Sequence, residues 1–247
     1  MSDIFHSSKY TLARAKHHIH DFERQVAEFF DTNPYRTVIE TDPNTAEEVH
    51  KFKLIKPMPV ALPGIASDAI NNLRNALDHA AFACLKTGRH ASFPFADSAT
   101  KIENVIKGRC KDMPKEIADL MRAFEPYKGG NNLLWAMNQL CNSNKHAIVC
   151  PVATRSGGIF YRRVVLTEGG SLNTFPVWDR TKNEMEIFRV SPGGASEANF
   201  DIATCIAFRD VEFVDGQPAN TLLNEFARIV ESIIMAIEAE MRRLSVI

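Results

Sequence analysis

Between positions 9 and 31, apolar residues fall at Leu12, Ala15, Ile19, Phe22, Val26 and Phe29. The alternating steps of three and four make one stripe and predict a helix, which Asn33-Pro34 ends. Two short runs, 35–40 and 49–55, are joined by the turn signal Asp42-Pro43-Asn44 and predict a β-hairpin. The hairpin is expected to lie beside the helices as an accessory arm. Pro57, Pro59 and Pro63 form a stiff connection into a second predicted helix, 64–86. Shorter helices are predicted over 99–107, 114–124 and 131–145. From 149 to 214 the chain turns rich in β-branched and aromatic residues and is broken by Gly-Gly pairs. Strands are predicted at 159–166, 172–177, 184–190 and 201–208, and the short turns between them favour an antiparallel meander over βαβ units. A last helix, 220–244, carries Leu222, Leu223, Phe226, Ile229, Val230, Ile233, Ile234, Ile237 and Met241. A face so wide predicts burial on two sides, against its own bundle and against a partner.

The expected fold is α+β and a single domain over 1–247. It is a helical bundle (9–31, 64–146 and 217–245) with an N-terminal β-hairpin (35–55) and a small antiparallel sheet (149–214) inserted before the last helix. At 247 residues and 45% hydrophobic composition the chain can bury a sizeable core. A formal charge of −1 gives no general signal for DNA, RNA or a membrane surface, so any such contact must come from a local patch. No apolar run approaches the roughly 20 residues that span a bilayer, and residues 1–10 hold no signal-peptide core. The five cysteines (Cys84, Cys110, Cys141, Cys150 and Cys205) are odd in number and lack Cys-x-x-Cys spacing, which argues against a disulfide framework or zinc ribbon. The expected location is a reducing cytoplasm.

The chemistry concentrates in Asn71-Asn72-Leu73-Arg74-Asn75-Ala76-Leu77-Asp78-His79. At about 100° per residue, Ile70, Leu73, Leu77, Ala80, Ala81 and Cys84 share one arc, while Asp68, Asn71, Asn72, Arg74, Asn75, Asp78 and His79 fill the facing one. Arg74 and His79 lie near opposite edges of that polar arc. Arg74–Asp78 and Asn75–His79 are each one turn apart and able to interact. Read plainly, this is a solvated face with one ion pair. Read as a site, Arg74 stabilises developing phosphate charge and His79 moves a proton. Three amides on a short helix face disfavour the helix and ask for partners. Similar chemistry recurs where Asn138, Asn142 and Lys145 align on one side of a later helix and His146 follows. A helix C-terminus accounts for that cluster; so does a face turned toward Arg74 and His79.

The spacing Arg74-x4-His79, with Asn75 directly after the Arg, resembles the Arg-x(4–6)-His signature of the HEPN superfamily. Leu73 to His79, Phe93-Pro94, Glu125-Pro126-Tyr127, Asn142 to His146 and Phe208-Arg209-Asp210-Val211 resemble, in order along most of the chain, the pattern of a bacterial protein group with no established activity. The resemblance implies a helical bundle, often dimeric, with metal-independent endoribonuclease activity in a bacterial defence or toxin–antitoxin setting. It further implies that Arg74 and His79 of two protomers form one cleft. His79 would promote attack of a ribose 2′-OH on the adjacent phosphate, Arg74 would stabilise the phosphorane-like charge and Asn75 would orient one of them. Asn71, Asp78, Asn142, Lys145 and His146 would support them. The partners implied are RNA and a second copy of the chain, with no metal and no cofactor. The 149–214 sheet departs from a minimal HEPN bundle. The alternative is a non-catalytic binding or scaffold protein whose Asn/Arg/Asp/His network is structural. A small-molecule pocket between bundle and sheet is a third reading.

Other groupings carry less. His17 and His20 share a helix face beside His18, Asp21 and Glu23, but Arg24 one turn on would repel a bound cation. Lys101 to Lys128 holds seven basic residues against five acids, and Lys107-Gly108-Arg109-Cys110-Lys111 could meet an RNA backbone or simply be solvated. The Gly-Gly pairs lack a phosphate-loop Lys-Ser/Thr and read as turns.

Overall fold

The computed structural model describes residues 3–85, 90–142, 149–153, 159–166, 170–172 and 177–245. Within them the helices are α1 (His6–Asp31), α2 (Leu62–Ala83), α3 (Ile102–Arg109), α4 (Lys115–Ala123), α5 (Asn132–Asn142) and α6 (Ala219–Arg243). The strands are β1 (Tyr35–Thr41), β2 (Glu48–Leu54), β3 (Val149–Ala153), β4 (Ile159–Leu166), β5 (Ser171–Leu172), β6 (Glu184–Val190), β7 (Ser196–Ile202) and β8 (Thr204–Phe208). The architecture is α+β, with the hairpin and the pre-α6 strands where the sequence places them. Among the described residues no helix is long and apolar enough to cross a membrane.

The bundle is built on α1, α2 and α6. Leu12, Ala15, Ile19, Phe22 and Phe29 of α1, with Ile70, Leu73, Leu77 and Ala80 of α2, are buried in one core with Phe226, Val230, Ile233 and Ile237 of α6. Three polar rungs set the α1–α6 direction: Lys9 to Glu238, Lys16 to Glu231 and Asn224 to Glu23. Ascending numbers on one helix meet descending numbers on the other, so the two are antiparallel. α1 and α2 are antiparallel as well. Ser8 Oγ donates to the Ala76 carbonyl at 2.7 Å near one end, and Lys56 Nζ reaches the Thr32 carbonyl near the other. The broad apolar face of α6 is consumed within the chain, leaving Met235 as its exposed large apolar residue. Its width therefore needs no partner to explain it.

The strands depart from the expected meander. β6 pairs antiparallel with β2, so the N-terminal hairpin becomes part of a four-stranded sheet in the order β1-β2-β6-β5. β3 pairs with β8 and β4 with β7. The run 201–208 splits between β7 and β8, and 173–176 of the expected strand 172–177 lies outside the described residues. The β6 pairing follows from charge and packing across strands. Lys51 and Lys53 are each held between Glu40 of β1 and Glu184 of β6. Lys51 and then Lys53 hold the Glu40 carboxyl down at about 2. Burial raises the Glu184 pKa, but the two lysines more than offset it. Elsewhere in the sheet, Ile187, Phe188 and Val190 are buried against Phe52, Ile159, Tyr161, Phe200 and Ile202, a second small core.

His50 of β2 is buried in this layer. Its ring stacks 4.0 Å from Phe188, and Nε2 lies 3.5 Å from Ser196 Oγ and 4.0 Å from the Glu48 carboxylate. Burial pushes its pKa below the ordinary value, and the nearby Glu48 opposes this only in part. The unfolded chain then binds the proton more readily than the fold does. The stability His50 contributes is complete above its unfolded pKa of about 6.5 and is lost as the pH falls through that value toward the folded pKa. The melting temperature is expected to drop between about pH 7 and 5, with His50→Gln flattening that drop. An equally steep profile in the variant would remove His50 as the cause.

Candidate functional site

Pro63 in the first turn starts α2 without an orphaned N–H, and the apolar arc of the helix faces the core. The polar arc divides between two neighbours. One edge faces α5 and the 93–95 segment. Arg74 Nε donates to Asn138 Oδ1 of α5 at 3.0 Å. Its Nη1 forms an ion pair with Asp78 outside hydrogen-bond alignment, and the guanidinium carbon sits 4.6 Å over the Phe95 ring. The Asp78 carboxylate also accepts the Phe93 N–H at 2.8 Å, while Arg109 Nη1 donates to the Phe93 carbonyl at 3.1 Å. Asn71 accepts from Cys141 Sγ at 3.1 Å and donates to Ser67 Oγ. Arg74 is left with a side chain 14% exposed. These contacts tie α2 to α5 and to the extended segment around Pro94.

The other edge faces α1 and solvent. His79 is exposed, and its Nδ1 lies 2.9 Å from Ser7 Oγ and 3.2 Å from Thr11 Oγ1. Thr11 spends its one hydroxyl proton on the Ser7 carbonyl, at 2.8 Å. Toward His79 it therefore acts as acceptor, which makes Nδ1–H the donor, while Nε2 makes no hydrogen bond among the described residues. Asn75 is exposed.

Of the candidate residues, Arg74 and Asp78 meet Asn138 on the α5 side, Asn71 bonds Cys141 of that same helix α5, and His79 stands apart on the α1 side. Within one chain Arg74 and His79 do not share a cleft, as the roughly 140° between positions five apart on a helix dictates. His79 is oriented by Ser7 and Thr11, whereas the motif implies that Asn75 orients either it or Arg74. Ser7 and Thr11 were missed, although Ser7, Thr11, Arg14 and His18 form a polar stripe at helical spacing beside the apolar one. Asn142 is exposed at the end of α5; Lys145 and His146 lie outside the described residues.

On the outer sheet, a depression of about 440 Å³ is lined by Glu40, Asp42, Lys51, Glu184, Glu186 and Arg189, among others. Its charges satisfy one another: Arg189 bonds Glu186, Asp42 and Glu47, and Lys51 bonds Glu40 and Glu184. Among the described residues no three His, Cys, Asp or Glu side chains are grouped to hold a metal ion.

No family model, curated protein or solved structure matches this chain. The likeness to the HEPN superfamily rests on its motifs alone.

Proposed function

We propose that this chain is a non-catalytic, HEPN-like binding protein of the cytoplasm, with RNA as its partner, whose Arg74 network holds the bundle together. The observation that carries the reading is the commitment of Arg74. Its Nε–H, charge and ring-stacking face are spent on Asn138, Asp78 and Phe95. A guanidinium engaged three ways would have to break buried contacts before it could meet a phosphate. The cytoplasmic assignment draws support from Cys84 and Cys110, which are unpaired and buried, with thiols that burial pushes up to about 12 and about 11.

His79 favours a second reading, a metal-independent endoribonuclease. An exposed imidazole anchored through Nδ1, with Nε2 free of hydrogen bonds among the described residues, is placed to act as a general base. Homodimerisation belongs to this reading, since a second copy would have to supply the missing cation. RNA incubated with the protein and a metal chelator decides between the two. No cleavage is expected. Cleavage that disappears in a His79→Ala variant of unchanged melting temperature would overturn the binding reading in favour of the nuclease.

A further inference from the structure

The outer side of the α1–α2 seam, away from Arg74, carries a second set of groups that the fold does not use. From His6 to His20, α1 contains no acidic residue. Its two lysines are committed: Lys9 to Asp3 and Glu238, and Lys16 to Glu231. Arg14, two turns beyond Tyr10's neighbour His6, is exposed and makes no ion pair or side-chain hydrogen bond among the described residues. Most other arginines of the chain do, including Arg24 with Asp21 and Glu28, Arg122 with Glu103 and Asp119, and Arg243 with Glu240.

Exposed rings lie along the same seam. Tyr10 lies one turn before Arg14, is 58% exposed and stacks on the His6 ring at 6.3 Å. On α2, Phe82 is 54% exposed and follows His79 by one turn. The antiparallel register, fixed by Ser8 against Ala76 and by Ser7 against His79, places this α2 edge alongside the Ser7–Thr11–Arg14 stripe. An isolated exposed ring is ordinary on a protein surface. Here Tyr10 sits one turn from a guanidinium with no partner among the described residues, and Phe82 lies at the other end of the same seam, one turn beyond the exposed His79 ring. Cations interleaved with aromatic faces suit a strand whose bases are unstacked and whose phosphates are accessible.

We propose that this seam binds single-stranded RNA, with Arg14 taking a backbone phosphate and Tyr10 and Phe82 offering ring faces to bases. The assignment rests on the RNA-binding reading above and adds where, and by which side chains, the strand is held. Arg14 takes the role that the Arg-x4-His motif would give to Arg74.

The test is fluorescence anisotropy of a short labelled single-stranded RNA with the full chain, its Arg14→Ala and Tyr10→Ala variants, and Arg228→Ala as an exposed control on α6. Inorganic polyphosphate serves as the competitor. Arg14→Ala is expected to bind more weakly at low salt and to lower the slope of log K against log salt by about 0.7, the share of one single-strand phosphate contact. Tyr10→Ala is expected to lose about fivefold or more in affinity, with melting temperatures unchanged and the control binding like wild type. If wild type binds no RNA, the RNA-binding reading falls and this assignment with it. If wild type binds and Arg14→Ala matches it in affinity and slope, the assignment alone is overturned. If polyphosphate displaces the RNA fully and Tyr10→Ala is silent, the occupant is a bare phosphate source, and the single-strand assignment is overturned.

Discussion

Replacing Arg74 by alanine is expected to cost about 2–3 kcal/mol of stability, read as a drop of roughly 5–10 °C in melting temperature for a chain of this size. The loss does not come from the guanidinium's own burial. It comes from what the truncation leaves behind: Asp78, still accepting the Phe93 N–H, loses its counter-charge, and Asn138 on α5 loses its donor. The estimate is kept to the low end for breaking a buried pair because the Asp78 side chain is 29% exposed and water can reach it. Arg74→Lys should recover only part of the loss. A lysine can restore the charge opposite Asp78, but it brings neither the Nε–H for Asn138 nor a planar group to lie over Phe95. A folded Arg74→Ala protein with the wild-type melting temperature would refute the structural role.

The larger effect is expected at Phe226 of α6. Its side chain is 1% exposed and meets Phe208 at 6.3 Å between ring centroids. It is the point where α6 closes over the end of β8. Phe226→Ala removes a whole ring from the buried core that it shares with Phe208. The cost is about 3–5 kcal/mol. Thermal or urea unfolding monitored by circular dichroism measures it, and a change under about 1 kcal/mol would mean the site repacks around the gap.

The helices were legible because their information is local. The apolar positions of α1 and α6 repeat at steps of three and four, and Asn33-Pro34 and Pro63 mark boundaries at or near where the structure has them. The hairpin was legible for the same reason, its strands matching to within a residue. The pairing of β2 with β6 was not. Nothing within 48–54 specifies a partner more than a hundred positions away, and no local pattern marks Lys51 and Lys53 as the residues that bridge to Glu184. The candidate site was half legible. One helix supplies the angular separation of Arg74 and His79, so their division between neighbours followed from geometry. Which neighbour each would meet depended on α1 and α5 packing on opposite flanks of α2, and that is set by the tertiary arrangement.

The long-range closure of that sheet has a consequence for the order of assembly. Glu48 pairs with Val190, which lies 142 positions further along (190 − 48). The β1–β2 hairpin and the α1–α2 contact can form while the chain is still local in its interactions, since each closes only a short loop. β6 has no such shortcut. Its docking on β2 must wait until a long intervening chain has been drawn in, a slow step governed by loop-closure entropy. Until it arrives, the Lys51 and Lys53 edge of β2 lacks its Glu184 strand, and the unpaired backbone of that edge is open to any extended segment that reaches it first. Refolding at high protein concentration therefore sets strand exchange between copies in competition with correct closure.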